Sequence, residues 1–125
     1  MAKILVVDDT ALIRAMAADL LKAAGHEVAQ AEDGKPALAL LQQDAFDLMV
    51  LDIQMPVLDG FGVLAAVQKF PGAKPRILVM TDVANSANDV SKARVLGANG
   101  FLAKGALQEQ LVFRVEQLLG RPAAP

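Results

Sequence analysis

The chain has no cysteine, no tryptophan and no tyrosine, and a single histidine. Without cysteine, disulfides and thiolate metal sites are excluded. Aromatic residues make up 4% of the 125 positions, so any core must be built from Leu, Val, Ile, Ala and Met. No dense run of Lys or Arg occurs, and the formal net charge is −2. Direct nucleic-acid binding needs a basic face, so this composition argues against it. No apolar run reaches the length of a membrane span. The opening "MAKILVV" has one Lys before a short apolar run that ends in Asp, which is neither a signal peptide nor a span. A cytoplasmic protein without membrane attachment is the expectation. What is present in quantity is aliphatic: the hydrophobic share is 54% and the charged share 21%. That is enough for a full core in one domain and is unlike a disordered chain.

Short apolar runs alternate with helical stretches. Ile4–Val7, Leu48–Leu51 and Ile77–Met80 read as strands buried on both faces. Residues 27–31, "EVAQA", alternate and read as a weaker edge strand. Residues 100–103 make a short fifth strand. One helix is predicted to end near Gly25, with Leu12, Met16, Leu20, Ala23 and Ala24 as its apolar face, and another spans Gly34–Gln43. Three more are predicted over Gly60–Phe70, Ser86–Leu96 and Leu107–Leu119. Gly25, Pro71-Gly72, Gly97 and Gly120 act as stops. Five strand–helix units imply an α/β fold, a doubly wound parallel sheet with helices on both faces.

In such sheets ligands bind beyond the carboxyl ends of the strands. The residues that fall there are Asp8 and Asp9 after the first strand, Asp52 after the third, Thr81 after the fourth and Lys104 after the fifth. Three converging carboxylates repel one another unless a cation lies between them. Oxygen-only donors point to Mg2+, with Mn2+ or Ca2+ as substitutes. An ammonium and a hydroxyl beside that cation suit the oxygens of a phosphoryl group. An aspartate in such a place can be the nucleophile. A flavin or nucleotide binder of the same architecture would need a Gly/Ser/Thr-rich phosphate loop after the first strand. The two carboxylates of "DDTALIR" would repel that phosphate.

At these residues the chain resembles the receiver domains of two-component response regulators, such as the chemotaxis regulator. The resemblance rests on "VVDD" at Asp8-Asp9, "LDIQMPVLDG" from Leu51 to Gly60, "MT" at Met80-Thr81 and "GANGFLAK" from Gly97 to Lys104. It covers about Lys3 to Leu119. It implies a flavodoxin-like (βα)5 fold with strand order 2-1-3-4-5, a receiver domain over residues 1–119, and residues 120–125, "GRPAAP", as a tail or the start of a linker. It implies that Asp52 accepts a phosphoryl group from a histidine kinase or phosphotransfer protein. Asp9, Asp52 and the Gln54 backbone carbonyl would contact Mg2+ directly, with Asp8 acting through water. Thr81 and Lys104 would hold the phosphoryl oxygens, and Thr81 and Phe101 would form the switch. The surface of the fourth helix, fifth strand and fifth helix would pass the signal to a downstream protein or output domain, with a phosphorylation-dependent dimer as one form. Such a domain is not a conventional enzyme. It catalyses its own phosphoryl transfer and dephosphorylation.

The chain also departs from the family. Gly105 follows Lys104 where proline is usual, and Asp82 follows Thr81 where a small residue is usual. Asp82 would repel an anionic donor, compete for the metal or face solvent. Gln54 and Val83 occupy positions that, in the family it resembles, tune phosphate lifetime. These four residues are the candidate modulators. Asp82 and Gly105 motivate an alternative: a receiver-like interaction module that no longer uses phosphate. Asp59 is expected to be structural, Met49 and Met80 to fill the core, and His26 to sit at the surface. Phe113 lies nearly opposite the stripe Leu107, Leu111, Val115 and Leu118, at about 100° per residue. It is expected to be exposed, as a partner or dimer surface or as a single surface apolar residue.

Overall fold

The computed structural model describes residues 2–55, 59–81 and 87–120. The strands are β1 (Lys3–Val7), β2 (Glu27–Ala31), β3 (Leu48–Asp52), β4 (Arg76–Thr81) and β5 (Gly100–Ala103). The helices are α1 (Ala11–Ala23), α2 (Gly34–Gln43), α3 (Gly60–Gln68), α4 (Ala87–Val95) and α5 (Leu107–Leu118), and one 3-10 turn covers Lys104–Ala106. All pairings are parallel, in the order β2-β1-β3-β4-β5. This is the doubly wound five-stranded arrangement expected, with β2 at one edge. No helix among the described residues is long and apolar enough to cross a membrane.

Alternation along the strands sends side chains to two cores. Leu5, Val7, Met49, Leu51, Ile77 and Val79 pack with Ala37 of α2, Val63, Leu64 and Val67 of α3 and Ala93 of α4. Ile4, Val6, Leu48, Val50, Leu78, Met80 and Leu102 pack with Ala17 and Leu21 of α1 and Leu107, Leu111 and Val115 of α5. Met49 and Met80 are core residues, as expected. Each fully buried aliphatic side chain contributes about 1.5–3 kcal/mol, which is what allows charge to be placed at one end of the sheet.

Two expectations are corrected. The buried residues of α1 are Ala17, Ala18 and Leu21. Met16 and Leu20 are only partly buried, and Leu12 is 68% exposed. The helix is rotated from the expected stripe, so Ala17, Ala18 and Leu21 face inward while Met16 and Leu20 lie at the shoulder. His26 is buried rather than at the surface, with 5% exposure. Gly25, at φ 95°, ends α1, and the His26 N–H returns to the Leu21 carbonyl at 3.1 Å. The imidazole Nδ1 accepts from the Ala2 N–H at 3.2 Å, and Nε2 lies 2.5 Å from Glu116 Oε1 on α5. An Nδ1 that accepts leaves Nε2 to carry the proton toward Glu116.

Gly60 opens α3 against the end of β3. A Cβ there would lie 2.5 Å from the Asp52 carbonyl oxygen and 2.6 Å from Ile53 Cα. Both are backbone atoms and cannot move aside. Gly60→Ala is therefore expected to destabilise the protein by about 2–3 kcal/mol, measured by urea unfolding. A loss within error would show that α3 can shift without cost.

Candidate functional site

Register builds the site. Val7 pairs with Leu51, Asp52 with Met80, and Thr81 with Ala103. Asp8 and Asp52 each follow a residue of the first pair, so they emerge side by side. Thr81 stands one residue beyond the Asp52 partner, and Lys104 one beyond the Thr81 partner. Parallel pairing thus gathers residues widely separated in sequence at one edge. Carboxylate oxygens of Asp8, Asp9 and Asp52 all lie within 4.8 Å of one another. Asp8 and Asp52 are buried, at 0% and 2% exposure, and Asp9 is exposed.

Lys104 Nζ is 3.0 Å from Asp52 Oδ2 and 3.4 Å from Asp8 Oδ2. Apart from that ion pairing, neither Oδ2 has a hydrogen-bond partner among the described residues. The remaining oxygens take backbone donors. Thr10 N–H donates to Asp8 Oδ1 at 2.7 Å, and Gln54 N–H donates to Asp52 Oδ1 at 3.1 Å. Arg14 Nη1 donates to the Asp8 backbone carbonyl at 2.7 Å. Arg14 is absent from the sequence-based site. The signal would have been its place on the first turn of α1, from which a helical side chain leans back over the preceding loop.

The Asp52 carboxyl is pushed up to about 6. Burial is the largest cause and the Asp8 charge adds to it, while the Lys104 ammonium and the Gln54 N–H pull it down. Lys104 is held above its ordinary value: burial lowers it, and Asp52 and Asp8 outweigh that. Three carboxylates, two of them buried and served by one ammonium, form an oxygen donor set that fits a hard divalent cation. Beside them a groove of 460 Å³ is walled by Asp9, Gln54, Met55, Asp59, Phe61 and Asp89.

The other expected residues take varied places. Thr81 ends β4, half buried. Phe101 is half buried against the α3 and α4 core, with the Arg94 guanidinium 5.2 Å from its ring centre. Asp59 caps α3, accepting from the Gly62 N–H at 2.9 Å, as a structural role requires. Gly105 sits in the 3-10 turn, where a Cβ would meet nothing within 4 Å. Space therefore does not demand glycine there, and Lys104 reaches Asp52 without the usual proline. Phe113 is 52% exposed on α5. Asp82 and Val83 lie outside the described residues.

The pattern of the response regulator receiver domain matches residues 4–116. A probable transcriptional regulator, ycf27 of Cyanophora paradoxa, is 36% identical over 123 residues, which is 98% of this chain and 50% of that protein. The chain spans half or less of the length of several such curated relatives. The structure of chemotaxis protein CheY4 of Vibrio cholerae is similar with a TM-score of 0.84 at 36% identity, over 94% of this chain and 98% of that one. The receiver domain of the histidine kinase CKI1 from Arabidopsis thaliana, solved in complex with Mg2+, gives a TM-score of 0.81 at 27% identity, over 94% and 91% of the two chains.

The raised Asp52 carboxyl has a consequence for stability. In the fold it takes up its proton near pH 6, against an ordinary value of 3.8. Without metal, the native state therefore gains stability relative to the unfolded chain as pH falls from 6 toward 4, and loses it as pH rises through 6. Displacement from 3.8 to about 6 corresponds to about 3 kcal/mol, which solvent at the open edge reduces to on the order of 1–2 kcal/mol. In chelator at neutral pH, Asp52→Asn is expected to be more stable than wild type by that amount, with the gap closing near pH 4. Urea unfolding at both pH values is the check; a gap independent of pH would refute the assignment.

Proposed function

Because the chain belongs to the response regulator receiver domain family, we propose that it works as a phosphorylation-controlled switch in two-component signalling, with Asp52 as the phosphoacceptor. The observation that carries this reading is Lys104 Nζ lying 3.0 Å from Asp52 Oδ2 and 3.4 Å from Asp8 Oδ2, at the carboxyl edge of the sheet. Ionised Asp52 attacks the phosphorus of a phosphohistidine on a histidine kinase or phosphotransfer protein, or of a small phosphodonor. A P–O bond to the aspartate forms as the P–N or P–O bond to the donor breaks, and the leaving group takes up a proton. The groove beside Asp9, Met55 and Phe61 is the open side from which a donor can approach.

Asp8, Asp9, Asp52 and the Gln54 backbone carbonyl would hold Mg2+, which when bound neutralises the carboxylates and the charge on the transferring oxygens. Lys104 then exchanges its contact with the free Asp52 carboxylate for a phosphoryl oxygen, and the Thr81 hydroxyl donates to another. Hydrolysis returns Asp52 to a carboxylate and releases inorganic phosphate. Movement of Thr81 toward the phosphoryl group frees space for Phe101, so phosphorylation changes the population of two arrangements of the α4, β5 and α5 surface rather than the fold.

Two experiments test this reading. Incubation with acetyl phosphate should add one phosphoryl mass to the intact protein in Mg2+, none in EDTA, and none to Asp52→Ala. Absence of the adduct even with kinase supplied would favour a phosphate-independent interaction module. Exposed Phe113 is the proposed contact of the output face. Phe113→Ala is expected to weaken self-association or partner capture by the phosphorylated protein, read by sedimentation and pull-down; unchanged values would leave Phe113 a solvent-facing residue with no such role.

A further inference from the structure

Arg14 makes a contact that none of the chemistry above uses. It occupies the fourth position of α1, and its own N–H bonds the Thr10 carbonyl at 3.0 Å. From there the guanidinium leans back over the loop and donates to the Asp8 carbonyl at 2.7 Å. Asp8 lies one residue beyond β1, and its N–H still bonds the Ala31 carbonyl at 3.2 Å. Its carboxylate is pinned by the Thr10 N–H at 2.7 Å. The carbonyl that Arg14 holds belongs to the planar peptide joining Asp8 to Asp9. Fixing its direction fixes ψ of Asp8 and φ of Asp9. Those torsions set the angle between the buried Asp8 carboxylate and the exposed Asp9 carboxylate, two of the three groups within 4.8 Å of one another.

We propose that Arg14 is a positioning residue of the cation site: by holding the Asp8–Asp9 peptide it presents both carboxylates in one orientation. It touches neither the cation nor the phosphoryl group. The inference rests on the reading of Asp8, Asp9 and Asp52 as a Mg2+ site. Losing the guanidinium would leave the Asp8 carbonyl without that donor and let the peptide rotate, with the cost appearing in metal affinity. Lysine brings a donor on a flexible stem without the planar fork, so it restores part of the effect.

The test is a calorimetric Mg2+ titration of wild type, Arg14→Met and Arg14→Lys, with urea unfolding of each in EDTA and the Asp9 amide resonance followed by NMR. Expected are about tenfold weaker Mg2+ binding for Arg14→Met and within about threefold of wild type for Arg14→Lys. Unfolding midpoints should stay close to wild type, and the Asp9 amide should shift in Arg14→Met. Mg2+ affinity of Arg14→Met within twofold of wild type would overturn the role of Arg14 alone. Absence of Mg2+ binding by the wild type would overturn the cation reading itself and this inference with it. Should Arg14→Met fail to fold, Arg14→Gln, whose amide is too short to replace the guanidinium, is judged by the same criterion.

Discussion

The structure turns on negative charge concentrated at the desolvated end of a parallel sheet. Asp8 and Asp52 are buried at the tips of adjacent strands, and exposed Asp9 is next to them. One ammonium, that of Lys104, reaches the buried pair. Burial and like charge both penalise this arrangement, so the rest of the molecule must hold it in place. Two aliphatic cores, one on each face of the sheet, supply the stabilisation.

The opposite end of the sheet is built differently. Lys3 N–H donates to Asp47 Oδ2 at 2.8 Å, and its ammonium pairs with Asp44. Asp47 N–H bonds the Lys3 carbonyl at 2.8 Å, and Arg76 N–H bonds the Asp47 carbonyl at 3.1 Å. His26 ties the start of the chain to Glu116 of α5. Polar groups there find partners within the chain. At the carboxyl edge, two buried oxygens have no hydrogen-bond partner among the described residues beyond their ion pairing with Lys104. A fold with one satisfied end and one charge-strained end directs binding to the strained end, where a ligand can supply what the chain does not.

Much of this could be read from residue order. Buried strands such as "ILVV" and "ILVM" announce themselves as continuous apolar runs, and β2, α2 and β5 begin and end where composition and stop residues indicated. Asp8, Asp9, Asp52, Thr81 and Lys104 stood at predicted strand ends, and one geometric rule for α/β sheets was enough to gather them. The inward face of α1 was not legible, because Leu12, Met16 and Leu20 make as good an apolar stripe as Ala17, Ala18 and Leu21, which are the residues buried. Which face of a helix meets a sheet is a property of the packed pair. His26 was misread for a similar reason: a polar ring after a turn defaults to solvent unless partners as distant as Ala2 and Glu116 close around it.

The sequence by itself determined the order and type of the elements, the aliphatic nature of the core and which acidic, basic and hydroxyl residues stand at strand ends. Those properties depend on local pattern: alternation, apolar runs, glycine stops. The tertiary structure decided the distances that make a site. These include the 3.0 Å between Lys104 and Asp52, the rise of the Asp52 carboxyl to about 6, the clasp of Arg14 on the Asp8 carbonyl and the burial of His26. Each arises between residues on different elements. Charge, desolvation and hydrogen bonding act through space, and only the folded chain sets which groups meet.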